Sequence, residues 1–201
     1  LSPEQVKAVH AGMDELGVLV FHDQPIDDEQ QLVFSRALGP LEQATGDIAA
    51  PQDRRMSMDL NDISNLDEKS RIMARDDRRR LFGLGNLLWH SDSSFKPIPS
   101  TYSLLSARIP VDQGGETQFA DMRAAYDALD EDTQAEIADL VCEHSLIYSR
   151  NTLGFLDLSE EERATMRPVR QSLVRTHPRT GRHSLFLSSH AGRIVGMPQV
   201  E

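Results

Sequence analysis

At 201 residues the chain is long enough for one domain with a sizeable core. Its 21 Lys and Arg against 32 Asp and Glu give a net charge of −11. That excludes nucleic acid or an anionic membrane as a general partner, since both need a basic face, but leaves room for a small anion held by a few local cations. A lone cysteine, Cys142, rules out an internal disulfide and fits a reducing, cytoplasmic setting. No apolar stretch approaches the roughly 20 residues that span a bilayer. Residue 1 is Leu with no signal-like start, which reads as a trimmed N-terminus.

Ser2-Pro3-Glu4-Gln5 reads as a helix start, with Ser as N-cap, Pro at N1 and Gln at N3. Val6, Val9, Met13 and Leu16 follow helical spacing, and Gly17 suits the left-handed C-terminal position. Residues 18–21 form a short buried strand in this reading, and Asp27-Asp28 opens a second helix ending at Leu38 before Gly39-Pro40. From 42 to 80 the pattern decays into short strands joined by mobile loops, a candidate lid. Arg78-Arg79-Arg80 is read there as a solvated patch rather than an anion site. Strand-like runs follow at 87–90, 101–107 and, after Gly114-Gly115, 116–119. Residues 121–129 and 131–141 look helical, 143–148 strand, 159–165 helix and 171–176 strand. Residues 177–182 turn into a return strand at 183–188. Many short strands with turn signals favour a barrel or jelly roll with added helices in a single domain over 1–201.

The chemistry centres on Leu88-Trp89-His90-Ser91-Asp92-Ser93-Ser94-Phe95. On an extended strand, residues i and i+2 share a face, so His90 and Asp92 can aim at one point. An imidazole nitrogen and a carboxylate oxygen so placed are two parts of the two-His-one-carboxylate triad that holds non-haem Fe(II). Trp89 is read as packing beside the metal, Cys142 as buried and inert, and Lys96 and Arg193 as solvated charges.

Gly85-Asn86-Leu87-Leu88-Trp89-His90-Ser91-Asp92, then Gly114-Gly115-Glu116-Thr117-Gln118-Phe119-Ala120-Asp121-Met122 and Ala124-Ala125-Tyr126-Asp127-Ala128-Leu129, resemble the TauD/TfdA family of Fe(II)/2-oxoglutarate dioxygenases. The serines after Asp92 and His144-Ser145-Leu146-Ile147-Tyr148-Ser149 lean toward the aryloxyalkanoate branch. The resemblance runs across essentially the whole chain. It implies a double-stranded β-helix (jelly roll, cupin-like), mostly β with flanking helices. It implies His90 and Asp92 as iron ligands, Thr117 as donor to the distal carboxylate of 2-oxoglutarate, and Asn86 and Ser93 on the substrate pocket. Three facial ligands leave positions for the 2-oxo acid and O2; oxidative decarboxylation gives succinate, CO2 and an oxidant that takes hydrogen from a nearby carbon. The implied substrate is a small anion, aryloxyalkanoate-like or an alkyl sulfonate or sulfate, cleaved at its C–O or C–S bond.

In the family a third ligand, a late histidine, is followed by an arginine for 2-oxoglutarate, around an Asp-Asn-Arg type segment that does not occur here. His144, His177, His183 and His190 precede that region, and His190, in a segment this branch keeps near the pocket, is placed on the substrate side. The expectation is a jelly roll incomplete at its C-terminal side. Two other readings stand beside it: a cupin-like metal-binding or isomerase protein without 2-oxoglutarate chemistry, and a catalytically silent fragment. The oligomeric state, a homo-oligomer included, is not legible.

Overall fold

The computed structural model describes residues 1–44 and 54–198. The helices form where local caps demand them. In α1 (Pro3–Leu16) the Ser2 hydroxyl accepts from the Gln5 amide while the Gln5 side chain accepts from Ser2, and Gly17 closes the helix at φ 76°. The same reciprocal box, Asp27 with Gln30, opens α2 (Asp28–Leu38). Asp77 caps α3 (Arg78–Gly83), which passes into a 3-10 turn over Leu84–Leu87. Asp121 and Asp130 cap α4 (Met122–Asp127) and α5 (Glu131–Ile137).

Strand β1 (Val141–His144) leads into α6 (Leu146–Asn151), and α7 (Glu160–Thr165), opened by a Ser159–Glu162 box, precedes β2 (Val169–Ser172). Then come β3 (Val174–Thr176), β4 (His183–Leu185) and β5 (Ala191–Ile194). The sheets are small and antiparallel: β2-β1-β5, with Cys142 opposite Gln171 and Ile194, and the β3-β4 hairpin. Leu173, buried between β2 and β3, hands the chain from one sheet to the other, its amide on Leu140 and its carbonyl on Phe186.

Several sequence expectations need correction. The run at 171–176 is two strands broken at Leu173. The strand expected over 143–148 ends at His144, because the Ser145 hydroxyl accepts from the Ile147 amide and starts α6. Among the described residues the helices hold more of the chain than the strands, and the runs at 18–21, 87–90, 101–107 and 116–119 carry no ladder. A strand needs a partner, and no described segment supplies one to these runs. Their apolar side chains stand in solvent: Leu87 is 82 % exposed, and Val20, Phe21, Leu105 and Phe119 are exposed too. The chain accordingly shows 13821 Å² of surface, where a compact monomer of its mass shows about 9,500 Å². In the 42–80 stretch a single bridge, Leu66 with Ile72, is formed among the described residues; 45–53 lie outside them, as do residues 199–201.

The core cluster is Leu146, Phe155, Leu158 and Met166, with Phe82, Phe95 and Ile147 packed against it. Phe82 meets Phe155 edge-on at 5.6 Å. Arg78 ties α3 to this unit through Asp157 and Glu162, and Arg79 pairs with Asp77 and Glu68, so two of the three arginines expected to be solvated are engaged in ion pairs. Phe82 and Phe95 link the core to the region where His90 lies.

Candidate metal and cosubstrate site

His90 and Asp92 converge, but on a loop rather than a strand. Leu84–Leu87 is a 3-10 turn, Leu88 is extended (φ −79°, ψ 147°), and residues 92–95 turn sharply. The turn depends on Ser93, which sits at φ 56°, a left-handed conformation uncommon for a residue with a Cβ. The result puts His90 Nε2 3.1 Å from Asp92 Oδ1. Two donors bound at right angles to one ion, each about 2.1 Å away, would sit about 3 Å apart, so the pair fits two cis positions on a metal.

The tautomer is set from behind. His90 Nδ1 lies 2.7 Å from the Leu88 carbonyl oxygen, which can only accept, so Nδ1 carries the hydrogen and the Nε2 lone pair faces Asp92. The Asp92 hydrogen bond raises the His90 pKa against the opposing effect of burial, and the His90 contact lowers that of Asp92.

Ser93 points away from this face. Its hydroxyl donates to Glu42 Oε1 at 2.7 Å, where Lys96 Nζ also donates, and the Ser100 hydroxyl reaches Oε2 of the same carboxylate at 2.7 Å. Lys96, expected to be solvated, is a largely buried partner of Glu42. On the other side Gln171 Nε2 donates to the carbonyls of Ser94 and Lys96. The loop is thus clamped by one residue 51 positions upstream and one more than 70 downstream. No local sequence signal marks Glu42 or Gln171 for this role.

His190 is buried, its ring edge-on to Phe95 at 5.0 Å and 5.8 Å from His90, so the structure brings the two histidines together. The Ser149 hydroxyl donates to the Leu146 carbonyl, so it accepts from both His190 Nδ1 and Arg150 Nη1, each at 3.0 Å. Burial, reinforced by the Arg150 charge, lowers the His190 pKa to about 3, so this imidazole stays neutral. His144 is buried against Phe186 with neither ring nitrogen bonded, and burial lowers its pKa to about 4. His177 lies by Asp14 and His183 by Thr176. Among the described residues no third His, Cys, Asp or Glu joins His90 and Asp92 in a group that could hold a metal.

Asn86 is exposed on the 3-10 turn, four residues before His90. Thr117 is exposed on the ladderless 101–120 stretch, and no contact ties it to His90 or Asp92. Trp89, expected to pack beside the metal, is 60 % exposed, a correction that follows from the missing ladder at 87–90. Arg193 pairs with Glu143, and Cys142 is buried as expected. Sequence reasoning missed Arg150, which is buried beside Ser149 and Gly85.

Comparison with known proteins gives one consistent result. Residues 1–201 match the family model described as "Taurine catabolism dioxygenase TauD, TfdA family". The chain is 43% identical over 201 residues to the alpha-ketoglutarate-dependent 2,4-dichlorophenoxyacetate dioxygenase of Cupriavidus pinatubonensis, covering all of this chain and 70% of that protein. It is 37% identical over 197 residues to the (S)-phenoxypropionate/alpha-ketoglutarate-dioxygenase of Sphingobium herbicidovorans, covering 93% and 63% of the two. Among solved structures, AAD-2 in complex with Mn(II) and N-oxalylglycine superposes with a TM-score of 0.95 at 55% identity, over 98% of this chain and 69% of that one. A taurine dioxygenase from Burkholderia xenovorans, at 20% identity and TM-score 0.57, shares the fold.

Proposed function

The chain belongs to the TauD/TfdA family of dioxygenases, and from that premise we propose that it is an Fe(II)/2-oxoglutarate-dependent enzyme that opens the ether bond of a small aryloxyalkanoate. The observation that carries this reading is the 3.1 Å convergence of His90 Nε2 and Asp92 Oδ1, with the imidazole tautomer set by Leu88. The relatives' activities supply the substrate class, and the Mn(II) and N-oxalylglycine bound to AAD-2 support the metal and the 2-oxo acid. We place the whole chain in one cupin-like, double-stranded β-helix domain.

In this mechanism His90 and Asp92 would hold the metal through Nε2 and a carboxylate oxygen. When bound, Fe(II) with 2-oxoglutarate and O2 supplies an oxidant able to abstract hydrogen from carbon, with succinate and CO2 released. Thr117 would donate its hydroxyl to the distal carboxylate of 2-oxoglutarate. Asn86, Ser93 and His190 form the substrate side; Ser93 acts through its turn, because Glu42 holds its hydroxyl. His190, kept neutral by burial, presents an aromatic wall to the substrate without adding charge. Hydroxylation of the carbon next to the ether oxygen yields a hemiacetal, which collapses to a phenol and a 2-oxo acid.

The test is succinate release by the full-length protein with Fe(II), 2-oxoglutarate and a panel of aryloxyalkanoates, alkyl sulfonates and alkyl sulfates. Phenol release from an aryloxyalkanoate is expected, with a loss of at least about a thousandfold in His90→Ala and Asp92→Ala. A cupin-like protein without this chemistry would form no succinate with any substrate, and His90→Ala in a silent relative would change nothing.

A further inference from the structure

Among the described residues Arg150 is the one arginine in the buried interior, 4 % exposed on α6. Its guanidinium lies over the Phe82 ring, 4.6 Å from the centroid, and against the backbone of Gly85, where an added Cβ would overlap it. One nitrogen, Nη1, donates to the Ser149 hydroxyl; Nε has no partner. No carboxylate among the described residues pairs with it, whereas Arg78, Arg79, Arg123, Arg179 and Arg193 each meet one. Burial lowers its pKa only to about 10, so the group remains a cation at neutral pH.

A desolvated guanidinium without a counter-charge is costly, and an apolar side chain of the same volume would serve the fold better. Its placement indicates what balances it. The Ser149 hydroxyl that accepts from Arg150 also accepts from His190, whose ring packs on His90. Gly85, pressed against the guanidinium, directly precedes Asn86. The cation is therefore one hydroxyl removed from His190, whose ring packs on a proposed iron ligand, and lies against the residue before Asn86, so it neighbours two of the three proposed substrate-side residues. A planar fork of donors in that position is matched by a carboxylate.

We infer that Arg150 is a carboxylate-binding residue of this site, completed by the anionic end of a small organic acid. The inference rests on the dioxygenase reading above. Two acids carry the same chemistry, the aryloxyalkanoate and the 2-oxo acid, and the experiment separates them.

The full-length protein, loaded with Fe(II), is assayed for phenol and succinate with phenoxyacetate and with its neutral counterpart phenoxyacetamide, alongside Arg150→Gln and Arg150→Lys. If Arg150 holds the substrate, the Gln variant lowers the acid-to-amide ratio of kcat/KM by about 30-fold or more, and the Lys variant by less. If it holds the 2-oxo acid, KM for 2-oxoglutarate rises by a similar factor and the acid-to-amide ratio stays put. Either result supports the inference. Unchanged KM values and ratio, or an equal loss on acid and amide with no change in KM for 2-oxoglutarate, overturns it as a structural role would predict. Should Arg150→Gln fail to fold, the same two readouts on Arg150→Lys decide. Absence of succinate from the unsubstituted protein would instead sink the dioxygenase reading itself, a separate outcome.

Discussion

The two stretches that bear the proposed iron and 2-oxoglutarate contacts are held in opposite ways. Residues 88–96 are clamped from both sides by distant partners, Glu42 on one and Gln171 on the other, with Ser93 and Ser94 buried between them. Residues 101–120 are nearly all exposed, carry no ladder, and are tethered by a few contacts such as Tyr102 with His10 and Arg179, and Arg108 with Asp28. Geometry at a ligand loop is enforced by long-range polar contacts, and a stretch without them carries the right residue types but no fixed aim.

That contrast can be broken at its stiffest point first. Gly85→Ala places a methyl group in the Arg150 guanidinium and is expected to cost about 2–3 kcal/mol in denaturant unfolding, because neither the backbone nor the buried cation can yield. Gly83→Ala, two residues earlier with open space around it, should instead be neutral or stabilise by up to about 1 kcal/mol. Equal effects at the two positions would show that residues 82–88 are not packed as described.

Next in size, Glu42→Gln weakens the anchor of Ser93 and leaves Lys96 without its counter-charge, for a loss of about 1–2 kcal/mol. Because Ser93 follows Asp92 directly, metal affinity measured by calorimetry should fall on the order of tenfold. A stability loss with unchanged metal affinity would uncouple the clamp from the ligand pair.

A third test uses pH. The folded-state pKa of His144, about 4, lies below its unfolded value near 6.5, so the unfolded chain takes up the proton first as pH falls. Its contribution is fully present above about pH 6.5 and is lost progressively down to pH 4, with a slope approaching 1.4 kcal/mol per pH unit. His144→Phe should flatten the dependence of unfolding free energy on pH in that window by about this amount. An unaltered slope would mean that His144 is not the buried neutral base described.

The smallest expected effect on stability falls in the loose stretch. Thr117→Val should shift unfolding by less than about 0.5 kcal/mol, as exposed substitutions do. It should raise KM for 2-oxoglutarate by about tenfold, the size of one lost hydrogen bond to a charged group. A large stability loss there would show that residues 101–120 are packed after all.

What was legible follows the range of the interactions. Ser2 and Asp27 announced their helices because a cap and its partner lie three residues apart, within reading distance. The pairing of His90 with Asp92 was also legible, although i, i+2 spacing implies a strand and the structure uses a loop turned at Ser93. Ser145 misled the reading of 143–148 because its hydroxyl favours a cap over a continuing strand. Glu42, Gln171 and Arg150 were invisible for a different reason. Each acts on groups 50 to 80 positions away or through packing against a glycine, and nothing in their own neighbourhoods records it.

The acceptor that orients His90 is the Leu88 main-chain oxygen. No side-chain exchange at position 88 can delete it, so that residue is free to vary in size and polarity while the imidazole keeps its pose. Sensitivity is displaced to whatever sets the path of the chain: the glycine that admits a guanidinium, and the serine that accepts a left-handed bend. Apart from the two ligands themselves, mutational intolerance around this centre should therefore be greatest where the backbone is shaped, at Gly85 and Ser93.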